Sequence, residues 1–296
     1  MKVLVTGARG MIGSALVSRL DAVGHHVIRL TRSQPRSSGE YNWDPAAGTI
    51  DDGALDGVEA VVHLAGESVA GRWTESKKRR ILESRVQGTR LVSKALAGRA
   101  DRPAVLVCAS AIGIYGDRGE ESVTERSAPG TGFLAEVVRE WEGAAAPASD
   151  AGIRVVNLRF GIVQSADGGA LATMLPLFRL GLGGRVGSGR QYVSWVAIDD
   201  VVGTIQHAFA ADSLSGPVNV VAPAPVTNAE YAHTLGRVLG RPAVLPAPGF
   251  AVRLALGEFA QELLGGQRVV PERLAGSGYA FRYSELEAAL RHVLGR

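Results

Sequence analysis

Short apolar runs alternate with stretches of helical periodicity along most of the chain. The apolar runs at 2–6, 26–31, 59–64, 104–110, 153–159 and 217–221 predict strands, and the periodicity near 12–23, 75–97, 133–149 and 200–210 predicts helices. Apolar–polar alternation is missing from Ala60-Val61-Val62 and from Val105-Leu106-Val107, as expected of strands covered on both faces. The pattern predicts an α/β fold built on a doubly wound parallel sheet. Between 32 and 57 the chain is polar and rich in Gly, Pro and Ser, with one weak strand around Tyr41-Asn42-Trp43 and a turn at Asp44-Pro45. After residue 161 the rhythm changes. Gly168, Gly169, Gly181, Gly183, Gly184, Gly187 and Gly189 mark loops around a helix near 170–180. A Pro-rich helical tail follows from about 223, with starts at Thr227-Asn228 and Ser284. Segments 166–195 and 223–296 are expected to form a smaller lobe over the sheet's carboxyl edge, where α/β proteins bind ligands.

The first strand leads through Thr6-Gly7-Ala8-Arg9-Gly10-Met11-Ile12-Gly13 into the first helix. Strand, glycine turn and helix N-terminus together make a site for a dinucleotide pyrophosphate. Unpaired N–H groups and the positive helix end face the phosphates, and the glycines admit a close backbone. The spacing is G-x-x-G-x-x-G rather than the commoner G-x-G-x-x-G. An NAD-selective site places an acid at the end of the second strand, but this strand ends Leu30-Thr31-Arg32-Ser33. Arg32 there, and Arg9 inside the glycine loop, suit an adenosine 2′-phosphate, so the expected cofactor is NADP(H). Residues 1–165 and 196–222 then form a Rossmann domain that binds NADP, and 166–195 with 223–296 form the substrate-side lobe.

Composition narrows the picture. The single cysteine, Cys108, excludes an internal disulfide framework and sits in a buried-strand pattern rather than that of a nucleophile. A net charge of +3 and a basic run, Lys77-Lys78-Arg79-Arg80, without interleaved aromatics argue against nucleic acid as a partner. The run reads as a solvated helix face. No apolar run reaches membrane-spanning length, and the chain opens directly on a strand, so neither a membrane partner nor a signal peptide is expected and the cytoplasm is the default. The six histidines show no ligand spacing, so no metal is expected. A small molecule is the expected partner, and the protein is expected to be a monomer or homodimer.

The glycine loop, His63-Leu64-Ala65-Gly66, Ser110 to Gly116 and Leu158-Arg159-Phe160-Gly161-Ile162-Val163 together resemble the short-chain dehydrogenase/reductase superfamily, in its extended or atypical, sugar-nucleotide-epimerase-like branch. More narrowly the chain resembles a group known as epimerase family proteins, which has a distinctive C-terminal region. Arg72-Trp73-Thr74, Gly187-Ser188-Gly189-Arg190-Gln191 and Leu263 to Val269 carry that likeness. The resemblance implies cofactor contacts from Gly7, Arg9, Gly10, Met11, Ile12 and Gly13 and, with Arg32, from Leu64-Ala65-Gly66 on the adenine and ribose side. It implies Ala109 and Ser110 near the nicotinamide ribose and Phe160-Gly161-Ile162 near the carboxamide. Each of these also reads as strand-end packing.

Reductases and epimerases of this superfamily use a Tyr-x-x-x-Lys pair on the helix after the fifth strand, here 104–110 when the weak strand around Tyr41 is counted. The tyrosine moves the proton, and the lysine lowers its pKa and holds the ribose. Here Gly130 to Glu142 contains neither residue; aligning on Phe133 puts Val137 at the lysine position, and a one-residue shift gives Leu134 and Val138, none of which does acid–base work. The usual catalytic Ser/Thr position falls on Ala111. Tyr115, Ser110 and Glu67 are the candidate catalytic residues. Tyr115 would act as proton donor, Ser110 would bind a substrate oxygen, and Glu67 would act as a base if burial raises its pKa. Their plainer roles are a loop-anchoring aromatic, a strand-end cap and a surface carboxylate. Ser84-Arg85 reads either as facing the nicotinamide side or as helix surface, and Gln191, Ser194 and Trp195 are expected to face the substrate cleft. Asp199-Asp200 reads as an N-cap with a dipole-compensating acid. Two functions follow: an NADP(H)-dependent oxidoreductase or epimerase-like enzyme of unknown substrate, or a non-catalytic NADP(H)-sensing regulator.

Overall fold

The computed structural model describes residues 1–296. The chain begins β1 (Lys2–Thr6), α1 (Met11–Ala22), β2 (His26–Thr31), β3 (Glu40–Asp44), β4 (Thr49–Ile50) and β5 (Ala60–His63). It continues through α2 (Glu75–Ala97), β6 (Val105–Ala111), a 3₁₀ turn at Ile112–Tyr115, β7 (Ser122–Val123), α3 (Phe133–Gly143), α4 (Ala146–Asp150) and β8 (Arg154–Phe160). Next come β9 (Ile162–Gln164), α5 (Gly169–Arg179), β10 (Tyr192–Val193), β11 (Trp195–Ala197), α6 (Ile198–Ala210), β12 (Gly216–Val220), β13 (Val226–Thr227) and α7 (Asn228–Leu239). The tail holds α8 (Gly249–Leu256), a 3₁₀ turn at Gly257–Phe259, α9 (Ala260–Leu264), β14 (Arg268–Val269), α10 (Glu272–Gly276) and α11 (Leu286–Val293).

Eight strands form the central sheet in the order β12-β8-β6-β5-β1-β2-β3-β4, and every pairing is parallel except β3 with β4. The pleat sends alternate residues to opposite layers. Val3 and Val5 join Leu16 and Leu20 of α1 and Ile205 of α6, whereas Leu4 joins Val92 and Leu96 of α2 and Ala148 of α4. Both layers are buried and apolar, which is why these strands read as unbroken apolar runs. Each fully buried Leu or Val contributes roughly 1.5–3 kcal/mol. The weak strand around Tyr41 is real: it pairs with Arg29 to Thr31, and the Asp44 carboxylate closes the next turn by accepting from the Ala46 and Ala47 amides.

Three local expectations change. The helix expected over 133–149 is two helices broken at Ala144–Ala145, because Pro147 has no N–H to donate and is tolerated only in a first turn, here that of α4. Helix α6 starts at Ile198 with Ala197 as N-cap, so Asp199 and Asp200 lie inside its first turn rather than capping it. The third change is in the C-terminal lobe. Leu171, Leu175, Tyr231, Leu235, Leu286 and Leu290 of α5, α7 and α11 build a second core. Residues 268–276 leave it: β14 pairs with β7, and Leu274 of α10 joins the core under the sheet. No helix is long and apolar enough to cross a membrane.

Candidate functional site

A cleft of about 570 Å³ opens at the carboxyl ends of β1, β2 and β5, with α2 as its far wall. Gly7, Arg9, Gly10, Arg32, Leu64, Ala65, Gly66 and Glu67 all line it, so the structure brings eight of the nominated residues together. Gly7 has φ +68°, and a β-carbon there would stand 2.9 Å from the Ala65 amide nitrogen. At Gly13 a β-carbon would run into the Gly7 carbonyl. The first turn of α1 therefore presses directly on the glycine loop. Its N-cap, Gly10, carries no capping side chain, so the first-turn N–H groups remain available to an anion. Met11 and Ile12 belong to that turn and pack against the core beneath it.

The cleft's cations differ in freedom. Arg9 donates from Nη2 to both Glu40 carboxylate oxygens at 3.1 Å and from Nη1 to Ser33 Oγ at 3.0 Å. The Arg36 amide and then Arg9 hold the Glu40 carboxyl below the usual range. Arg32 lines the same cleft, is exposed and has no carboxylate within ion-pair distance. Sequence reasoning missed Glu40, as well as Trp43 and Pro45, which wall the cleft. Only the turn signal at Asp44-Pro45 hinted at that wall.

Thr6 and His63 form a node at the floor. The Thr6 hydroxyl accepts from the Leu64 and Ala65 amides, both at 3.2 Å, and lies 2.8 Å from His63 Nδ1. Its own proton therefore goes to Nδ1, which leaves the hydrogen of the neutral ring on Nε2. That atom is buried with no polar partner, beside the Trp43 ring. Burial alone lowers the His63 pKa to about 4.

Glu67 is not a base held neutral by burial. Lys77 of α2 donates to it at 3.0 Å, and this bond keeps its carboxyl below the usual range. Its site is a helix-facing ion pair on the cleft rim.

Tyr115 is likewise corrected. It is fully buried; its hydroxyl donates to Asn219 Oδ1 at 2.8 Å and accepts from Arg159 Nη1 at 3.0 Å. Desolvation pushes its pKa up, and no proton is available to a ligand. Ser110 donates to Glu142 Oε1 at 2.6 Å, and Arg159 closes two further bonds of 2.8 Å on the same carboxylate. Ser110, Glu142, Arg159, Tyr115 and Asn219 are thus one internal network joining β6, α3, β8 and β12. Such a network is stable while every member is paired.

The face of α3 expected to carry Tyr and Lys is filled with hydrocarbon. Phe133 and Val137 pack with Trp73, Ile81 and Phe259, the Trp73 and Phe133 rings lying 4.9 Å apart. Ala109, Phe160, Gly161 and Ile162 lie at the ends of β6, β8 and β9, outside the cleft. Cys108 is buried, its thiol pushed up to about 12 by desolvation, and is inert. Three further expectations are corrected. Trp195 is buried and donates to the Ala224 carbonyl; Ser194 bridges the Gln267 carbonyl and the Val269 amide; Gln191 donates to the Val186 and Leu263 carbonyls. These groups hold the lobe together instead of facing a ligand.

Residues 3–221 match the model of the NAD dependent epimerase/dehydratase family, and 247–293 match that of a domain of unknown function. The chain belongs to the NAD dependent epimerase/dehydratase family. It is 45% identical over 296 residues to a Mycobacterium bovis epimerase family protein, covering 99% of this chain and 98% of that one. The crystal structure of human epimerase family protein SDR39U1 (isoform 2) with NADPH superposes with a TM-score of 0.93 at 37% identity, covering 100% and 99% of the two chains. A nucleoside-diphosphate sugar epimerase from Corynebacterium glutamicum is 40% identical with a TM-score of 0.83; all of this chain matches 58% of that one.

Proposed function

We propose that this member of the family binds NADP(H) in the β1/β2/β5 cleft, as an oxidoreductase-type protein that works without the tyrosine–lysine pair. The carrying observation is Arg32, a free guanidinium at the end of β2 where an NAD-selective site would place an acid. The fit extends to the glycine turn and the uncapped end of α1, which suit a pyrophosphate, and to the human relative's structure with NADPH. Arg32 and the Glu40-anchored Arg9 bind the adenosine 2′-phosphate, while Trp43 and Pro45 wall the adenosine side. When bound, the nicotinamide supplies or accepts a hydride. Tyr115 and Ser110 donate their protons inside the protein, and Lys77 holds the Glu67 carboxyl ionised and below the usual range, so none of the three is poised as a proton donor at that end.

The test is calorimetric titration. NADPH should bind at least about tenfold more tightly than NADH, and Arg32→Ala should remove most of that preference, since one charged hydrogen-bonded contact is worth roughly 1.5–3 kcal/mol. Equal affinity for the two cofactors overturns the reading. A second reading, a sensor that binds NADP(H) without turning it over, is favoured by the hydrocarbon filling at Phe133 and Val137. It predicts different affinities for NADPH and NADP⁺ together with no hydride exchange in any carbonyl screen, and equal affinities count against it.

A further inference from the structure

Arg85 of α2 is a cation outside any ion pair. Its Nη1 donates to the carbonyls of Glu67 at 2.9 Å and Ile81 at 3.1 Å, and its Cζ lies 4.9 Å from the centre of the Trp141 ring of α3. Nε and Nη2 donate to no protein group, and no carboxylate lies within ion-pair distance. The side chain is half-buried, and desolvation lowers its pKa to about 10, opposed by the more distant Glu67 carboxylate. Nε and Nη2 are not among the buried polar atoms without a partner, so they reach solvent and are free to take an acceptor from a bound ligand. A β-carbon on Gly66, which lines the cleft, would be 3.5 Å from Cζ, so the guanidinium stands directly behind the loop after β5. Trp141 is one helical turn beyond Val137, which with Val138 is one of the two residues that the resemblance sets at the position of the superfamily's ribose-holding lysine. The adenosine end of the cleft already has Arg9 and Arg32.

Resting on the NADP(H) reading above, we infer that Arg85 is the cation of the nicotinamide half of the site. Its free Nε and Nη2 donate to oxygen atoms of the bound cofactor on the far side of Gly66, and so replace the missing lysine from the opposite helix. The oxygens are phosphate or ribose hydroxyl, the acceptors that a planar fork of donors holds best.

Two ligands separate the halves: NADPH, and adenosine 2′,5′-bisphosphate, which reaches only the Arg9–Arg32 end. Arg85→Met should weaken NADPH binding by about tenfold or more and leave the bisphosphate within about twofold, because one charged fork is lost at one end only. Arg85→Lys keeps the charge without the fork. It should show a smaller loss for NADPH alone, and it serves as the readout if the methionine variant does not fold. NADPH affinity unchanged in the folded variants, or both ligands weakened in proportion, overturns the inference and leaves Arg85 as a staple for the Glu67 and Ile81 carbonyls. Wild-type protein that binds neither ligand overturns the NADP(H) reading itself.

Discussion

Acidification should unlock the floor of the cleft through one side chain. His63 is fully buried with its pKa at about 4, against 6.5 for the free side chain. A folded-state value below the unfolded one means that the stability is present above pH 6.5 and drains away as pH falls from 6.5 to about 4. The gap corresponds to about 3 kcal/mol in all, of which about 2 kcal/mol is lost by pH 5. Protonation puts a hydrogen on Nδ1, facing a Thr6 hydroxyl that already accepts from Leu64 and Ala65. The bond that orients the loop after β5 is broken in the same event. The assay is urea unfolding of the wild type and His63→Asn at intervals from pH 7.5 to 4.5. The asparagine carbonyl keeps an acceptor for Thr6 but does not titrate. The variant is expected to be less stable at neutral pH, for loss of ring volume, and to have a flatter stability profile, by about 2 kcal/mol between pH 7 and 5. Parallel profiles would show that His63 is not the group that titrates.

Tyr115→Phe leaves Asn219 Oδ1 and one Arg159 N–H without a partner in the core, at a cost of about 2–3 kcal/mol. The midpoint of thermal unfolding should drop by roughly 5–10 °C while NADPH affinity stays put. A wild-type midpoint with impaired cofactor chemistry would restore the catalytic assignment. Asp200→Asn disturbs a fully buried carboxylate that accepts from the Tyr279 hydroxyl at 3.0 Å and from the Arg282 and Tyr283 amides at 2.8 and 3.0 Å. One amide must then face a donor, so cleavage by trypsin at Arg282 should accelerate strongly; an unchanged digestion rate contradicts that clamp.

The sheet was legible because its strands are buried on both faces, and burial of that kind leaves an unbroken apolar signature at Val3 to Val5, Ala60 to Val62 and Val105 to Val107. The cleft was legible for a similar reason: the glycine loop, Arg32 and Leu64 to Gly66 are short local segments at strand ends. The candidate acids and bases were not, because each is decided by a distant partner. Tyr115 is settled by Asn219, 104 residues on, Ser110 by Glu142 and Asp200 by Tyr279 to Tyr283. Glu67 meets Lys77 only because the loop between them folds back on the first turns of α2. Local pattern shows where a side chain stands in its own element, and its protonation depends on which other element arrives beside it.

A crystal structure of the NADPH complex, read at the adenosine 2′-phosphate, bears hardest on the proposed function. The phosphate oxygens should lie within hydrogen-bond distance of the Arg32 guanidinium, with Arg9 still anchored on Glu40. A 2′-phosphate turned to solvent, or a cofactor bound away from the glycine loop and Arg32, would contradict it.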